Sequence, residues 1–358
     1  MYSPYRTFVL SGLLAAMILP QAIATEEKSR VYYLIPSRID EFQTESQKAI
    51  EVVFSELGYD VRAFDAEGQS DRQVAQLEEA IRQRPAAIIL NAVDFVSIVP
   101  VIAKANQEKI PVLIYDRQIR NAPNQPRITI TFTSVANAYE IGGMAALEAI
   151  KLLKERKGED APQVNPSNLP TKRILHIPGD PRDDYSLEVQ RGFEAKMRLA
   201  PDISITTKPA IDWELRDAEK ILRDELNRNA VFDLIFCHAS HLIQPLLPLI
   251  KQQPNIIIIA GNGAPIGLKN LKEHKQHREI EQPLYAQVYG LALGFQEIVI
   301  RKRRLPAGPC KVLGVEGKID NAEFGPILKL DGSVIRPEDL HAGPQAGHSY
   351  WGNFVPPQ

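Results

Sequence analysis

From Arg30 onward, short apolar runs alternate with segments whose apolar residues recur at helical spacing, and this alternation narrows the chain to one fold class. Arg30–Ile35 reads as a strand. Ser46 to Leu57 places Ala49, Ile50, Val53, Phe54 and Leu57 on one helical face, and Gly58 stops it. Asp60 to Phe64 predicts the next strand, and Asp71 to Arg82 repeats the helical pattern through Val74, Leu77 and Ile81. Ala86 to Leu90 and Pro111 to Tyr115 are unbroken apolar runs, as a central parallel strand buried on both faces requires. Phe95 to Gln107 between them is helical, with Pro100 near its first turns. This order implies a parallel sheet with right-handed crossovers.

The pattern then restarts. Ile128 to Phe132 predicts a strand and Ala136 to Lys154 a long helix. Glu155 to Lys172, with Pro162, Pro166 and Pro170, reads as a surface loop. Strands are expected at Arg173 to Ile177, Ile203–Thr207, Phe232 to Phe236 and Asn255 to Ala260, separated by helices at Tyr185 to Leu199, Leu215 to Arg228 and Leu242 to Gln252. A helix at Tyr285 to Lys302 follows and leads to a Gly- and Pro-rich tail with short strands near Lys311 to Val315 and Ile327 to Leu330. The expected fold is therefore α/β, with two doubly wound parallel-sheet lobes joined by a hinge. In open parallel sheets ligands bind beyond the carboxyl ends of the strands. Two such edges facing each other make a cleft that can close.

Composition sets the class of partner. Of 358 residues, 44% are hydrophobic and 24% charged, which is ordinary globular usage. Net charge is -2, so no basic field is available for nucleic acid. Arg6, the apolar run Phe8 to Pro20 and the small-x-small step Ala22-Ile23-Ala24 read as a cleaved secretory signal over residues 1–24, which implies a periplasmic, soluble product. Cys237 and Cys310 have no metal-ligand spacing. A disulfide between them stays open, with a buried free thiol at Cys237 the simpler reading.

Strand ends supply the candidate site. After the first strand come Arg38, Asp40, Phe42 and Gln43. After the fourth comes Asp116-Arg117, which can offer two acceptors and a fork of donors to a polyol, or form a surface ion pair of little consequence. The second half supplies Ser134, Gly179-Asp180 with Asp184 and Tyr185, then His238, Ser240 and His241, then Asn262. Trp213 suits the apolar face of a sugar ring, or else packs between helices. A hydrolase built on His238 and His241 is the rival from another class. No Gly-x-Ser-x-Gly elbow and no His-Glu-x-x-His pattern accompanies them, so neither catalytic nor metal residues are assigned and no cofactor is expected. Gly261-Asn262-Gly263 has Ile266 where a dinucleotide fingerprint needs its third glycine. Arg301 to Arg304 reads as a solvated helix end.

Over about residues 29 to 315 the chain resembles the periplasmic sugar-binding proteins of the ribose, xylose and multiple-sugar type, relatives of the effector domains of lac-repressor-like regulators. The resemblance rests on Ile110 to Asn121 with its Asp116-Arg117 pair, on Leu57-Gly58-Tyr59, on Arg191-Gly192-Phe193, and on Pro209-Ala210 leading to Asp212-Trp213. It implies the type I binding-protein fold with three hinge crossings, expected near Ile130 to Thr133, near Gln282 and near Cys310. The lobes are then residues 29–130 with 283–309, and 131–282 with 310–358. It also implies that Asp40 to Gln43, Asp116, Arg117, Trp213, Asn262 and Gln282 touch the ligand, with Phe42 and Trp213 sandwiching the ring. Asn262 stands where the family usually has Asp. Ser186-Leu187-Glu188 replaces the helix-start Arg of the second lobe, and Cys237 to His241 replaces the usual Asn-Asp. The expectation is a monomer that is not an enzyme. It takes a small sugar-like ligand and meets an ABC transporter permease or a membrane sensor kinase.

Overall fold

A computed structural model describes residues 29–120, 122–156, 172–251, 253 and 255–342. The expected signal at 1–24, most of the 155–172 loop and the tail beyond 342 lie outside the described residues. No helix among the described residues is long and apolar enough to cross a membrane.

The first lobe opens with Arg30–Ile35 (β1), Glu41–Glu56 (α1), Asp60–Asp65 (β2), Ser70–Arg82 (α2), Ala87–Leu90 (β3), Val99–Gln107 (α3), Val112–Tyr115 (β4) and Phe132–Ala136 (β5). Ala138–Glu155 (α4) enters the second lobe. There follow Lys172–Ile177 (β6), Asp184–Met197 (α5), Ile203–Thr207 (β7), Leu215–Asn227 (α6), Leu234–Cys237 (β8), Leu247–Ile250 (α7), Ile257–Asn262 (β9), Pro265–Lys272 (α8) and Arg278–Glu281 (β10). Leu284–Gly294 (α9) returns to the first lobe with Gly308–Val312 (β11), Val315–Asn321 (β12) and Pro326–Leu330 (β13), and Ser333–Ile335 (β14) re-enters the second. The sheet orders are β11-β12-β13-β5-β4-β3-β1-β2 and β14-β10-β9-β8-β6-β7.

Both central sheets are parallel, as the apolar runs require. Ala87–Leu90 and Val112–Tyr115 are wholly buried, with α1 and α9 on one face and α2 and α3 on the other. The second lobe's core gathers α4, α5 and α6 around β6, β8 and β9. Gly142 of α4 and Gly192 of α5 let these helices touch. A Cβ on either would stand 2.0 Å or less from a backbone carbonyl of the other helix. That close crossing fixes where α5 begins, and its first turn faces the cleft.

Three expectations need correction. Phe132–Ala136 pairs with β4 in the first sheet, so the second lobe does not begin at residue 131. Its apolar residues could serve either sheet, and only the long-range pairing decides. The stretch 308–330 also belongs to the first sheet, because β13 lies parallel beside β5. The chain therefore crosses at Asn137, at Gln282-Pro283 and at Asp331-Gly332, and not near Cys310. Asn137 donates from its backbone to Leu330 O at 2.7 Å and from its side chain to Asp331 at 3.0 Å, which ties two crossings together. Finally, the helix expected at Leu242 to Gln252 is broken into a 3-10 turn, Ser240–Ile243, and the single turn α7. Pro245 and Pro248 lack the N–H groups that a continuous helix would need.

Candidate ligand-binding site

Asp40 caps α1 by accepting from Gln43 N at 2.9 Å, so the helix starts five residues earlier than its apolar repeat suggested. This places Phe42 and Gln43 in the first turn, at the carboxyl edge of β1. Phe42 is buried, stacked on Tyr115 with ring centroids 6.4 Å apart. Tyr115 ends β4, and Asp116 and Arg117 follow it directly. Asp116 adopts φ 68, a left-handed conformation costly for a non-glycine residue unless its surroundings fix it.

Those surroundings are three amides. Gln282 donates to Asp116 Oδ1 at 2.6 Å, while Asn91 and Gln43 donate to Oδ2 at 3.0 and 3.3 Å. Gln282 comes from a hinge crossing, so the hinge is wired to the site. Burial raises the Asp116 carboxyl above the ordinary range, opposed by Arg117 and the three amides. Arg117 is itself buried and spans the lobes. It donates to Ala92 O at 3.1 Å and reaches Asp116 at 3.8 Å and Asp183 of the second lobe at 3.4 Å.

Asp183 does two jobs. One oxygen caps α5 through Ser186 N at 2.7 Å, and the other accepts from the Trp213 indole at 2.7 Å. Burial lifts its pKa to about 6, against the pull of Arg117. Trp213 sits in a short turn after β7, with left-handed backbone at both Asp212 (φ 52) and Trp213 (φ 59). Its ring lies on Gly179, where a Cβ would come within 2.1 Å. Asn262 ends β9 at φ 86 and accepts from the Tyr185 hydroxyl at 3.4 Å.

Two adjoining cavities open between the lobes. One, about 240 Å³, is lined by Asp40, Phe42, Gln43, Asp116, Arg117, Tyr185, Trp213, Asn262 and Gln282. The other, about 330 Å³, shares Asp40, Gln43, Arg117 and Trp213 and adds Asp180, Arg182 and Asp212. Nine of the residues expected from sequence thus meet at one place.

Three do not. Arg38 lines neither cavity and pairs with Asp65 at 3.2 Å and Gln47 at 2.7 Å. Ser134 is buried in β5, donating to Gln287 O at 2.7 Å. His238 is buried beneath the cleft, its Nε2 2.8 Å from that of His176 and its Nδ1 3.5 Å from Ser186 Oγ. Burial drives both imidazoles toward the neutral form, His176 to about 3. His241 bonds to Trp213 O at 3.1 Å. The histidines therefore brace Trp213 and the core, and neither lines a cavity. Cys237 is a buried free thiol in the second sheet, and Cys310, also free, lies in the first.

The sequence reading missed Asn91 and Asp183. Asn91 directly follows the apolar run of β3, the same strand-end position that singled out Asp116. Asp183 carried a signal too, as an acidic residue at the start of an amphipathic helix.

A model of the periplasmic binding protein domain matches residues 31–293. The ribose import binding protein of Bacillus subtilis (strain 168) is 22% identical over 239 residues, covering 66% of this chain and 70% of its own length. Among solved structures, a galactofuranose binding protein superposes with a TM-score of 0.72 at 14% identity, over 88% of this chain and 96% of that one. The fructose binding periplasmic domain of a hybrid two component system does so with 0.70 at 18% identity, over 88% and 92%. At such identities the structural likeness speaks to the fold.

Proposed function

The chain belongs to the periplasmic binding protein family, and from that premise we propose that it captures a small polyhydroxylated ligand, a sugar or sugar-like polyol, by closing its lobes. It does so as a periplasmic monomer exported by the segment 1–24, and it hands the ligand unchanged to an ABC transporter. One observation carries this reading. Asp116 on one lobe and Trp213 and Asn262 on the other face a single cavity, and all three hold left-handed backbone. Strain of that kind, about 1–3 kcal/mol per residue in general, collects where a ligand contact demands a fixed geometry.

The chemistry suits a polyol. Asp116 accepts hydroxyl hydrogen bonds. Asn262 both accepts and donates, as does the Gln282 amide. The aromatic face of Trp213 covers C–H bonds, and Phe42 fills behind. Ligand held between the lobes favours the shut state by its differential affinity, so a loaded protein differs in shape from an empty one.

A thermal-shift screen of pentoses, hexoses, polyols and nucleosides tests the reading. A ligand at about 100 times its Kd should stabilise the wild type by about 2.7 kcal/mol. Asp116→Ala should lose that shift; a variant stabilised as fully as the wild type refutes the assignment. Amino-terminal sequencing of protein from a periplasmic fraction should begin near Thr25. The fructose-binding neighbour from a two-component system supports a second reading, delivery to a membrane sensor kinase. Capture of the loaded protein by a permease or by a sensor domain decides between the two.

A further inference from the structure

The cleft is short of positive charge. Arg117 is the only cation lining the inner cavity, and all of its reach is spoken for by Asp116, Asp183 and Ala92 O. Asp40 lines both cavities, and no cation among the described residues pairs with it; its carboxylate caps α1 by accepting from Gln43 N. The outer cavity offers no relief. Arg182 is held there between Asp180 (2.7 Å) and Asp212. Five carboxylates thus face two guanidiniums across the cavities and their immediate walls. Just outside, Arg120 is held by Asp184 and Glu188, the latter also meeting the exposed Arg191.

We infer that the ligand carries a protonated amine as well as hydroxyl groups, placing it in the amino-sugar or aminocyclitol class. This rests on the reading of the cleft as a polyol site. The two carboxylates that line the inner cavity, Asp40 and Asp116, flank Gln43, which bonds to both. An ammonium offers three donors and no acceptor, which matches a wall of acceptors. Taking it out of water is favourable beside a carboxylate that lacks another cation, which holds for Asp40 among the described residues, whereas Asp116 already shares Arg117 at 3.8 Å. An anionic sugar finds the reverse: no guanidinium is left to receive a carboxylate or phosphate, and the walls repel it.

Calorimetry on the mature chain tests this with matched probes: glucosamine and galactosamine, their neutral parents glucose and galactose, N-acetylglucosamine, an aminocyclitol, and galacturonate. At least one amine should bind ten-fold or more tightly than its neutral counterpart. Acetylation should erase the gain, and galacturonate should not bind. Asp40→Asn should cost the amine at least ten-fold more affinity than it costs the neutral parent sugar, since it removes the charge while Asn still caps a helix. Raising the pH from about 5 to about 7 should strengthen amine binding, because Asp183 ionises near 6. Groups facing Asp183 are Arg117, Asp116, Tyr185 and the Trp213 indole, and of these Asp116 and Tyr185 are also pushed upward by burial. Neutral sugars binding as tightly as their amines overturns this inference and leaves the polyol site standing. Failure of every probe, together with every member of the wider screen, overturns both.

Discussion

At the scale of single residues, the site depends on a few side chains whose positions other residues enforce. Trp213 can lie where it does because residue 179 has no side chain. Gly179→Ala should push the indole off its seat, since overpacking of this kind costs about 1–3 kcal/mol. The expected outcome is a shifted Trp213 emission with ligand affinity down ten-fold or more and the fold retained. Unchanged emission and affinity would remove Trp213 from the ligand wall. Much of this was legible in sequence, because polar residues placed directly after apolar runs end up at the cleft edge. Asp116 and Asn262 were found that way, whereas Gln282 came from the family resemblance. His238 obeyed the same rule and still misled, because His176 on the adjacent strand β6 gave it a buried partner that no local pattern announces. Arg38 misled because its guanidinium is taken up by Asp65 of β2 and Gln47 of α1, partners that no local pattern announces.

Among the elements, the turn from β9 into α8 shows how a buried group holds a binding loop. Glu279 of β10 is fully buried and accepts from Gly263 N at 2.7 Å, from Ser240 Oγ and from Gln276, so it anchors the turn that presents Asn262. No cation pairs with it among the described residues, and burial lifts its pKa from 4.5 to about 8. A raised folded-state pKa means that the stability this proton confers is complete below about pH 4, the unfolded value, and is lost as pH climbs through 8. His176 acts in the opposite sense. With its folded pKa near 3, its contribution is present above about 6.5 and lost as pH falls. Glu279→Gln should therefore flatten the fall in melting temperature between about pH 6 and pH 9, while leaving the acid limb intact. Gln276 can turn its amide to suit, since its Oε1 has no partner as it stands. An unchanged alkaline limb would show that Glu279 is not the group responsible. The alternation of strands and helices was plain in the sequence because it is local. The placement of β5 and β13 in one sheet was not, because pairing of Thr133–Ala136 with residues 327–330 depends on a distant part of the chain.

For the whole molecule, the proposed closing of the lobes would make the balance between open and shut states set how tightly any ligand is held. In the structure residues of the two lobes touch directly, and these contacts come from the chain itself. Arg120, from the loop after β4, reaches across to Asp184 and Glu188 at the start of α5 and lies 5.6 Å from the Phe95 ring centroid. Phe95 N donates to Arg182 O at 3.3 Å, and Ile266 N to Glu41 at 3.3 Å, both between lobes. Rotation about the crossings at Asn137, Gln282-Pro283 and Asp331-Gly332 would break these contacts without disturbing either core. They belong to the shut state alone, so removing one shifts the equilibrium toward the open state and taxes every ligand equally. Arg120→Ala should enlarge the radius of gyration of the ligand-free protein in small-angle scattering. It should also weaken all ligands by one common factor, about five- to thirty-fold for an interaction of ~1–2 kcal/mol. Arg120 does not line either cavity, so a loss that differs from one ligand to another would point to direct contact and contradict a latch. The charge-reversed pair Arg120→Glu with Asp184→Arg should recover part of the closure, because attraction across the gap is restored even though the original geometry with Glu188 is not.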